Sequence, residues 1–264
     1  MKIPFTKAHG AKNDFLLTWE PEAGEGDRPS MARAICDRHT GVGADGWMLV
    51  TKSAGADADG AIQLYNSDGS TAEISGNGTR CAAAFLIQHG YASGLVRIRT
   101  GAGVKSVRLL RRSGLTFDFE MNMGRAEVQA AHFALPLTAG PRDVTLIAVG
   151  NPQCALHVES LDFDWASLGA EIERHPHFPN RTNVSFWKSV DAHSIEARFY
   201  ERGAGATMSS GTGSTGAAAA AVALGAVSSP VRVLTPAGPI DLRFEDDAFL
   251  TGPAEIVAEG VFLS

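Results

Sequence analysis

Apolar positions recur with period two over many short stretches of this chain and at helical spacing over only a few. Residues 1–5, 15–19, 61–65, 95–100, 104–110 and 115–121 read as strands, the last three linked by glycine-bearing turns that suggest hairpins. Asn66-Ser67-Asp68-Gly69 is a turn signal after the third. Residues 31–39 and 79–89 read as helices. Asp27 or Ser30 stands ready to cap the first, Thr40-Gly41 to stop it, and Gly90 to close the second. The second half repeats the plan. Strands are expected at 144–149, 155–158, 184–190, 195–200, 231–234, 240–244 and 256–262, with helices at 164–174, stopped by Pro176, and at 214–224, followed by Gly225. Few of these strands look joined by crossover helices, so the pattern predicts antiparallel sheets in an α+β fold. A boundary near Asn122-Met123-Gly124 splits the chain almost in half.

The two halves share more than a plan. Ser75-Gly76-Asn77-Gly78-Thr79-Arg80-Cys81-Ala82-Ala83-Ala84 can be laid over Ser210-Gly211-Thr212-Gly213-Ser214-Thr215-Gly216-Ala217-Ala218-Ala219, with six of the ten positions identical. The two stretches lie 135 residues apart in a chain of 264. One domain-sized repeat is implied, with two related halves about a pseudo-twofold axis. Each copy sets Ser-Gly-x-Gly before an alanine-rich helix, where unpaired backbone N–H groups and the positive end of the helix dipole make an anion site. An ordinary serine N-cap explains one such loop; two favour a ligand. Gly211-Thr212-Gly213-Ser214-Thr215-Gly216 also fits G-x-G-x-x-G. The acidic residue that a dinucleotide site needs about 20 positions on is missing, since the next one is Asp241.

Composition narrows the classes. Apolar residues are 44% and charged residues 20%, ordinary for a globular protein, and 29 acidic against 23 basic residues argue against a nucleic-acid partner. The start of the chain lacks the apolar core of a signal peptide. The longest apolar run, 217–227, is too short for a membrane span. Cys36, Cys81 and Cys154 are odd in number and widely spaced, which fits a reducing, cytoplasmic compartment. No Cys/His cluster, H-E-x-x-H or phosphate loop asks for a metal or an organic cofactor.

Further motifs stand beside the two glycine loops: His9-Gly10 with Asn13-Asp14-Phe15, the run from Arg38-His39-Thr40-Gly41 to Asp45, Asn66-Ser67-Asp68-Gly69-Ser70, Gly150-Asn151-Pro152, Tyr200-Glu201-Arg202-Gly203-Ala204-Gly205 and Thr251-Gly252-Pro253. Together they resemble the diaminopimelate epimerase family over essentially the whole chain. The resemblance implies two similar halves, each a curved antiparallel sheet wrapped round a central helix: residues 1–122, joined by a final strand at 254–264, and residues 123–253. It implies cofactor-independent interconversion of LL- and meso-diaminopimelate, precursors of lysine and peptidoglycan, in a cleft between the halves, and leaves room for a homodimer. Asn13, Asn66, Asn151, Asn183, Glu201 and Arg202 would hold the amino and carboxylate groups of a small amino acid. The backbone of Gly76-Asn77 and Gly211-Thr212 would receive the carboxylate at the reacting carbon. The residue types suit these roles, since Arg forks onto carboxylates, Asn both donates and accepts, and helix starts stabilise developing negative charge.

The family uses two cysteines on opposite faces of the α-carbon. Here Ser75 and Ser210 stand at those positions. A thiol titrates near ~8.5 and lower at a helix start, whereas an aliphatic hydroxyl ionises far above that. No base triad is visible beside either serine to activate it. Other departures from the family's pattern are Lys12, Gly46, Gln153 and Ala206. His9, Lys12, Asp45 and Glu73 are candidate alternative bases, with structural roles as the simpler reading of His9 and Asp45. Three readings stay open: an amino-acid epimerase-like isomerase, an isomerase of another small carboxylic acid, and a Cys-to-Ser form that only binds its ligand.

Overall fold

A computed structural model describes residues 2–52 and 57–264, and the start of the first expected strand, Met1, lies outside them. The chain divides into two compact units, one of residues 1–121 with 252–264 and the other of residues 122–251.

The first unit runs β1 (Lys2–Gly10), β2 (Asn13–Trp19), α1 (Arg28–Cys36), β3 (Gly46–Lys52), β4 (Gly60–Asn66), β5 (Thr71–Ala72), α2 (Gly76–Gln88), β6 (Leu95–Thr100), β7 (Gly103–Ser113) and β8 (Thr116–Gly124). The second runs β9 (Glu127–Leu135), β10 (Arg142–Ala148), β11 (Pro152–His157), α3 (Trp165–Glu173), β12 (Asn183–Asp191), β13 (Ser194–Glu201), β14 (Gly205–Thr207), α4 (Gly211–Ala223), β15 (Val231–Thr235) and β16 (Gly238–Phe244). The closing strand β17 (Ala248–Leu263) pairs with β16 at its start and with β1 over the rest.

The fold is α+β and largely antiparallel, with one correction. Each unit contains two parallel pairs, and each parallel pair is bridged by a helix. In the first unit β2 runs parallel to β3 across α1, and β4 to β6 across α2. In the second β11 runs parallel to β12 across α3, and β13 to β15 across α4. The apolar pattern hid this because β3, Gly-Trp-Met-Leu-Val, is buried along its first five residues and shows no alternation. Strand β9 escaped for the opposite reason, since it is mostly exposed and only weakly patterned.

The central helices α2 and α4 are each buried over their first eleven residues. Glycine, alanine and other small residues fill most of that length, so the surrounding strands can close on the helix backbone from all sides. Both helices begin three residues earlier than the apolar pattern suggests. The glycine loop is the first helical turn itself, with the serine as its N-cap. Helix α1 is likewise displaced, to Arg28–Cys36, because Asp27 accepts from Ser30 N–H and Pro29 occupies the first turn. It stops where the Asp37 carboxylate accepts from the N–H groups of His39 and Thr40. Asp164 caps α3 through Ser167 N–H. The core is aliphatic and aromatic, with Trp47, Phe117 and Phe119 in the first unit and Phe186, Trp187 and Phe199 in the second fully enclosed.

Candidate active site

Each unit presents one serine-capped helix start. Ser75 is extended at φ −132°, ψ 120°, and Ser210 at φ −137°, ψ 125°. Gly78 N–H donates to Ser75 Oγ at 3.1 Å, and Gly213 N–H donates to Ser210 Oγ at the same distance. The two caps are therefore built alike, and the remaining N–H groups of each first turn face outward from the helix end as anion donors.

In the first unit the helix start is wired to the β1–β2 hairpin. Gly10, at the end of β1, lies so close to α2 that a Cβ there would sit 3.1 Å from the Asn77 Cα. That approach lets Asn77 Nδ2 donate to Asn13 Oδ1 at 3.2 Å. Asn13 Nδ2 donates to Asp45 Oδ2 at 2.6 Å. Asp45 also accepts from Arg38 at 2.8 Å, and Arg38 and Lys7 both reach Asp14. These two cations hold the Asp14 carboxyl below its ordinary range even though burial opposes them. Arg80, fully enclosed one turn into α2, donates to Asn77 Oδ1 at 2.6 Å and to the carbonyls of Gly76 and Pro253 at 3.2 Å each. All three partners are uncharged oxygens. Desolvation draws the guanidinium down to about 10, which leaves it protonated at neutral pH.

In the second unit the hairpin β13–β14 brings Glu201 back to the helix it precedes. Ser210 Oγ donates to Glu201 Oε2 at 3.0 Å, and Thr207 Oγ1 donates to Glu201 Oε1 at 2.8 Å. A carboxylate thus stands beside Ser210, a pairing that the sequence alone does not show. Nine residues separate the pair, and strand pairing rather than local sequence joins them. Arg202 N–H donates to Asn183 Oδ1, and Asn183 Nδ2 donates to Pro152 O, so Asn183 braces the end of β13. The Arg202 guanidinium makes one bond among the described residues, to Asn180 O at 3.2 Å, which leaves most of its fork available. Asn151 Nδ2 lies 3.4 Å from Thr212 Oγ1, and Asn151 Oδ1 accepts from Gln153 Nε2 at 2.6 Å.

The remaining candidates separate from this set. Asn66 is engaged in its own turn, donating to Ser70 Oγ at 3.0 Å. His9 Nε2 lies 3.6 Å from Glu255, with Nδ1 buried and unpartnered. Lys12 and Glu73 are exposed. Cys36, Cys81 and Cys154 are all buried and free, and burial pushes the first two up to about 12 and the third higher still, so none is a ready thiolate. Among the described residues no group of His, Cys, Asp or Glu is arranged to hold a metal ion, and no helix is long and apolar enough to cross a membrane.

The family model for diaminopimelate epimerase matches residues 5–129 and 145–257, which include every residue of the two helix starts and their partners. The chain belongs to the diaminopimelate epimerase family. It is 40% identical to the diaminopimelate epimerase of Archaeoglobus fulgidus over 99% of this chain and 96% of that one, and 36% identical to that of Pelotomaculum thermopropionicum over 98% of each. Solved structures share the fold at lower identity. A hydroxyproline epimerase from Agrobacterium vitis, with bound trans-4-hydroxy-L-proline, aligns with a TM-score of 0.75 at 15% identity, covering 98% of this chain and 92% of that one. A methylitaconate-delta-isomerase aligns with a TM-score of 0.68 at 14% identity, covering 100% and 96%.

Proposed function

We propose that this chain is a cofactor-independent isomerase of the diaminopimelate epimerase class, acting at the α-carbon of a small amino acid, with LL- and meso-diaminopimelate as its substrate pair. One observation carries the reading: the same serine-capped, glycine-lined helix start occurs once in each unit, and in the second it stands beside a strand end that carries Glu201 and Arg202. The helix N–H groups at Gly76-Asn77 and Gly211-Thr212 receive the substrate carboxylate and stabilise charge that develops on it when the α-proton leaves. Arg202 anchors a carboxylate by its fork, and Glu201 pairs with an ammonium. Ser75 and Ser210 occupy the two proton-transfer positions. Hydroxyls are poor bases there, so the rate falls well below what a thiol pair supports.

Incubation in deuterated water with LL- and meso-diaminopimelate and a panel of other amino acids tests the reading. Slow deuterium incorporation at the α-carbon of diaminopimelate is expected, with Arg202→Lys weakening its binding. A second reading, a binding protein without turnover, is favoured by the engagement of both serine hydroxyls as caps. Tight binding of diaminopimelate with no exchange into any amino acid would decide for it.

A further inference from the structure

Asn13 and Asn77 each carry one donor end and one acceptor end, and their orientation decides what a ligand meets. The groups at the two ends of their chain work in one direction only. The Arg80 guanidinium can only donate, and it faces Asn77 Oδ1 at 2.6 Å. An ionised carboxylate can only accept, and Asp45 Oδ2 faces Asn13 Nδ2 at 2.6 Å. Between them Asn77 donates to Asn13 at 3.2 Å. The whole series therefore points from Arg80 through Asn77 and Asn13 to Asp45. Turning the Asn13 amide over would set its NH2 against that of Asn77 and its oxygen against a carboxylate. Turning Asn77 over would set its NH2 against a guanidinium.

The second unit shows that this direction is a choice and not a consequence of the fold. Asn151 follows the turn between β10 and β11 as Asn13 follows the turn between β1 and β2. Its partner on the central helix, Thr212, lies 135 residues after Asn77. There the direction is reversed: Gln153 donates to Asn151 Oδ1, and Asn151 Nδ2 turns to Thr212. The position matching Arg80 is Thr215, whose hydroxyl donates to Gly211 O as Arg80 donates to Gly76 O. Among the described residues no guanidinium bonds to Thr212 to fix the opposite sense.

We infer that Arg80 and Asp45 are positioning residues that lock the amides of Asn13 and Asn77 in one orientation and so preset the donors that the first unit offers to a ligand carboxylate. The inference rests on the functional reading above for the identity of that ligand. Asn77 is buried and serves to hold Asn13, whose partly exposed amide keeps one N–H outside the chain, beside the backbone donors of the helix start.

Asp45→Asn removes the one-way acceptor with almost no change of shape. In a 1H–15N spectrum of side-chain amides the Asn13 NH2 should lose its protection from water exchange, while Asn77, still held by Arg80, keeps it. That readout needs no substrate. The binding constant for diaminopimelate should weaken by roughly tenfold, the usual size for a hydrogen bond to a charged group. The exchanged pair Asn13→Asp with Asp45→Asn separates positioning from packing, because Asn at 45 can donate to Asp at 13 and restore the contact with its direction reversed. The exchanged pair should melt within a few degrees of the parent protein and still bind weakly. Unchanged Asn13 protection in Asp45→Asn, or full recovery of binding in the exchanged pair, would overturn the inference. If the parent protein fails to bind diaminopimelate at all, the functional reading fails, and the amide-exchange result still decides the locking.

Discussion

The starts of α2 and α4 share their serine cap, their backbone angles and their glycines, yet the side chain that faces each cap differs. Counting nine residues back from Ser75 gives Asn66 at the end of β4, and nine back from Ser210 gives Glu201 at the end of β13. Asn66 turns away to Ser70, whereas Glu201 turns in and accepts from Ser210 Oγ. In the first unit the charge behind the helix start is a buried cation, Arg80, and in the second it is a carboxylate. A repeat thus supplies the same backbone donors twice, and the side chains around them differ: a buried guanidinium stands behind the first start, and a carboxylate accepts from the cap of the second.

The largest expected effect comes from giving both positions the group whose acidity the comparison concerns. Ser75→Cys with Ser210→Cys should raise LL-to-meso conversion by about 10²–10⁴-fold, the range of general acid–base catalysis, and either single change should do far less. Chiral analysis of the product over time measures it. A folded, ligand-binding double variant without a gain would mean that Lys12, Gly46, Gln153 and Ala206 have reshaped the site for another substrate.

The two introduced thiols should also differ from each other. A carboxylate at hydrogen-bond distance disfavours a thiolate, so the thiol at 210 should titrate about one pH unit above the thiol at 75, followed by thiolate absorbance or alkylation rate. Glu201→Gln should bring the two together. Identical titrations in the Glu201 form would remove the electrostatic contrast between the helix starts.

Packing under the two caps sharpens the comparison further. A Cβ at Gly213 would lie 2.8 Å from both Phe199 Cδ1 and Ser210 Oγ, a ring and the cap itself. At Gly78 the closest atom, at 2.6 Å, is the terminal methyl of Met48, which can swing aside. Gly213→Ala should therefore destabilise the protein by about 1–3 kcal/mol despite its better helix propensity, and Gly78→Ala by less than about 1 kcal/mol, as read by chemical denaturation.

Much of the scaffold was legible in the chain. Asp27 caps the helix that follows it, and the serine-glycine repeat marked both central helices. What escaped was whatever pairing across long separations decides. Burial on both faces erased the alternation of β3, and with it the first parallel pair. The contact of Ser210 with Glu201 depends on a hairpin whose return strand is three residues long, and that of Asn13 with Asn77 on a close approach 64 residues apart in sequence. Residue types identified the polar groups of the site, but not which of them bind one another.

The smallest effect concerns the turns before Asn13 and Asn151. Lys12 holds φ 61° where its counterpart Gly150 holds φ 67°. The left-handed region costs a non-glycine residue about 1–2 kcal/mol, partly offset by the greater freedom that glycine has when unfolded. Lys12→Gly should thus stabilise by at most about 1 kcal/mol, and Gly150→Ala should destabilise by a similar amount in thermal melts. A stabilising Gly150→Ala would show that the two turns are not counterparts.

Strand β17 has a consequence for how the protein is made. It pairs along β1 from Lys2↔Leu263 to His9↔Glu255, and Gly252, near its start, packs on the Arg80 guanidinium. During synthesis the whole second unit leaves the ribosome before residues 252–264 do. Until residues 252–264 dock, β1 has an open edge and Arg80 lacks the carbonyl of Pro253. The unfinished fold is thus open to mispairing along β1, and the same segment, 252–264, both covers that edge and completes the enclosure of the cation.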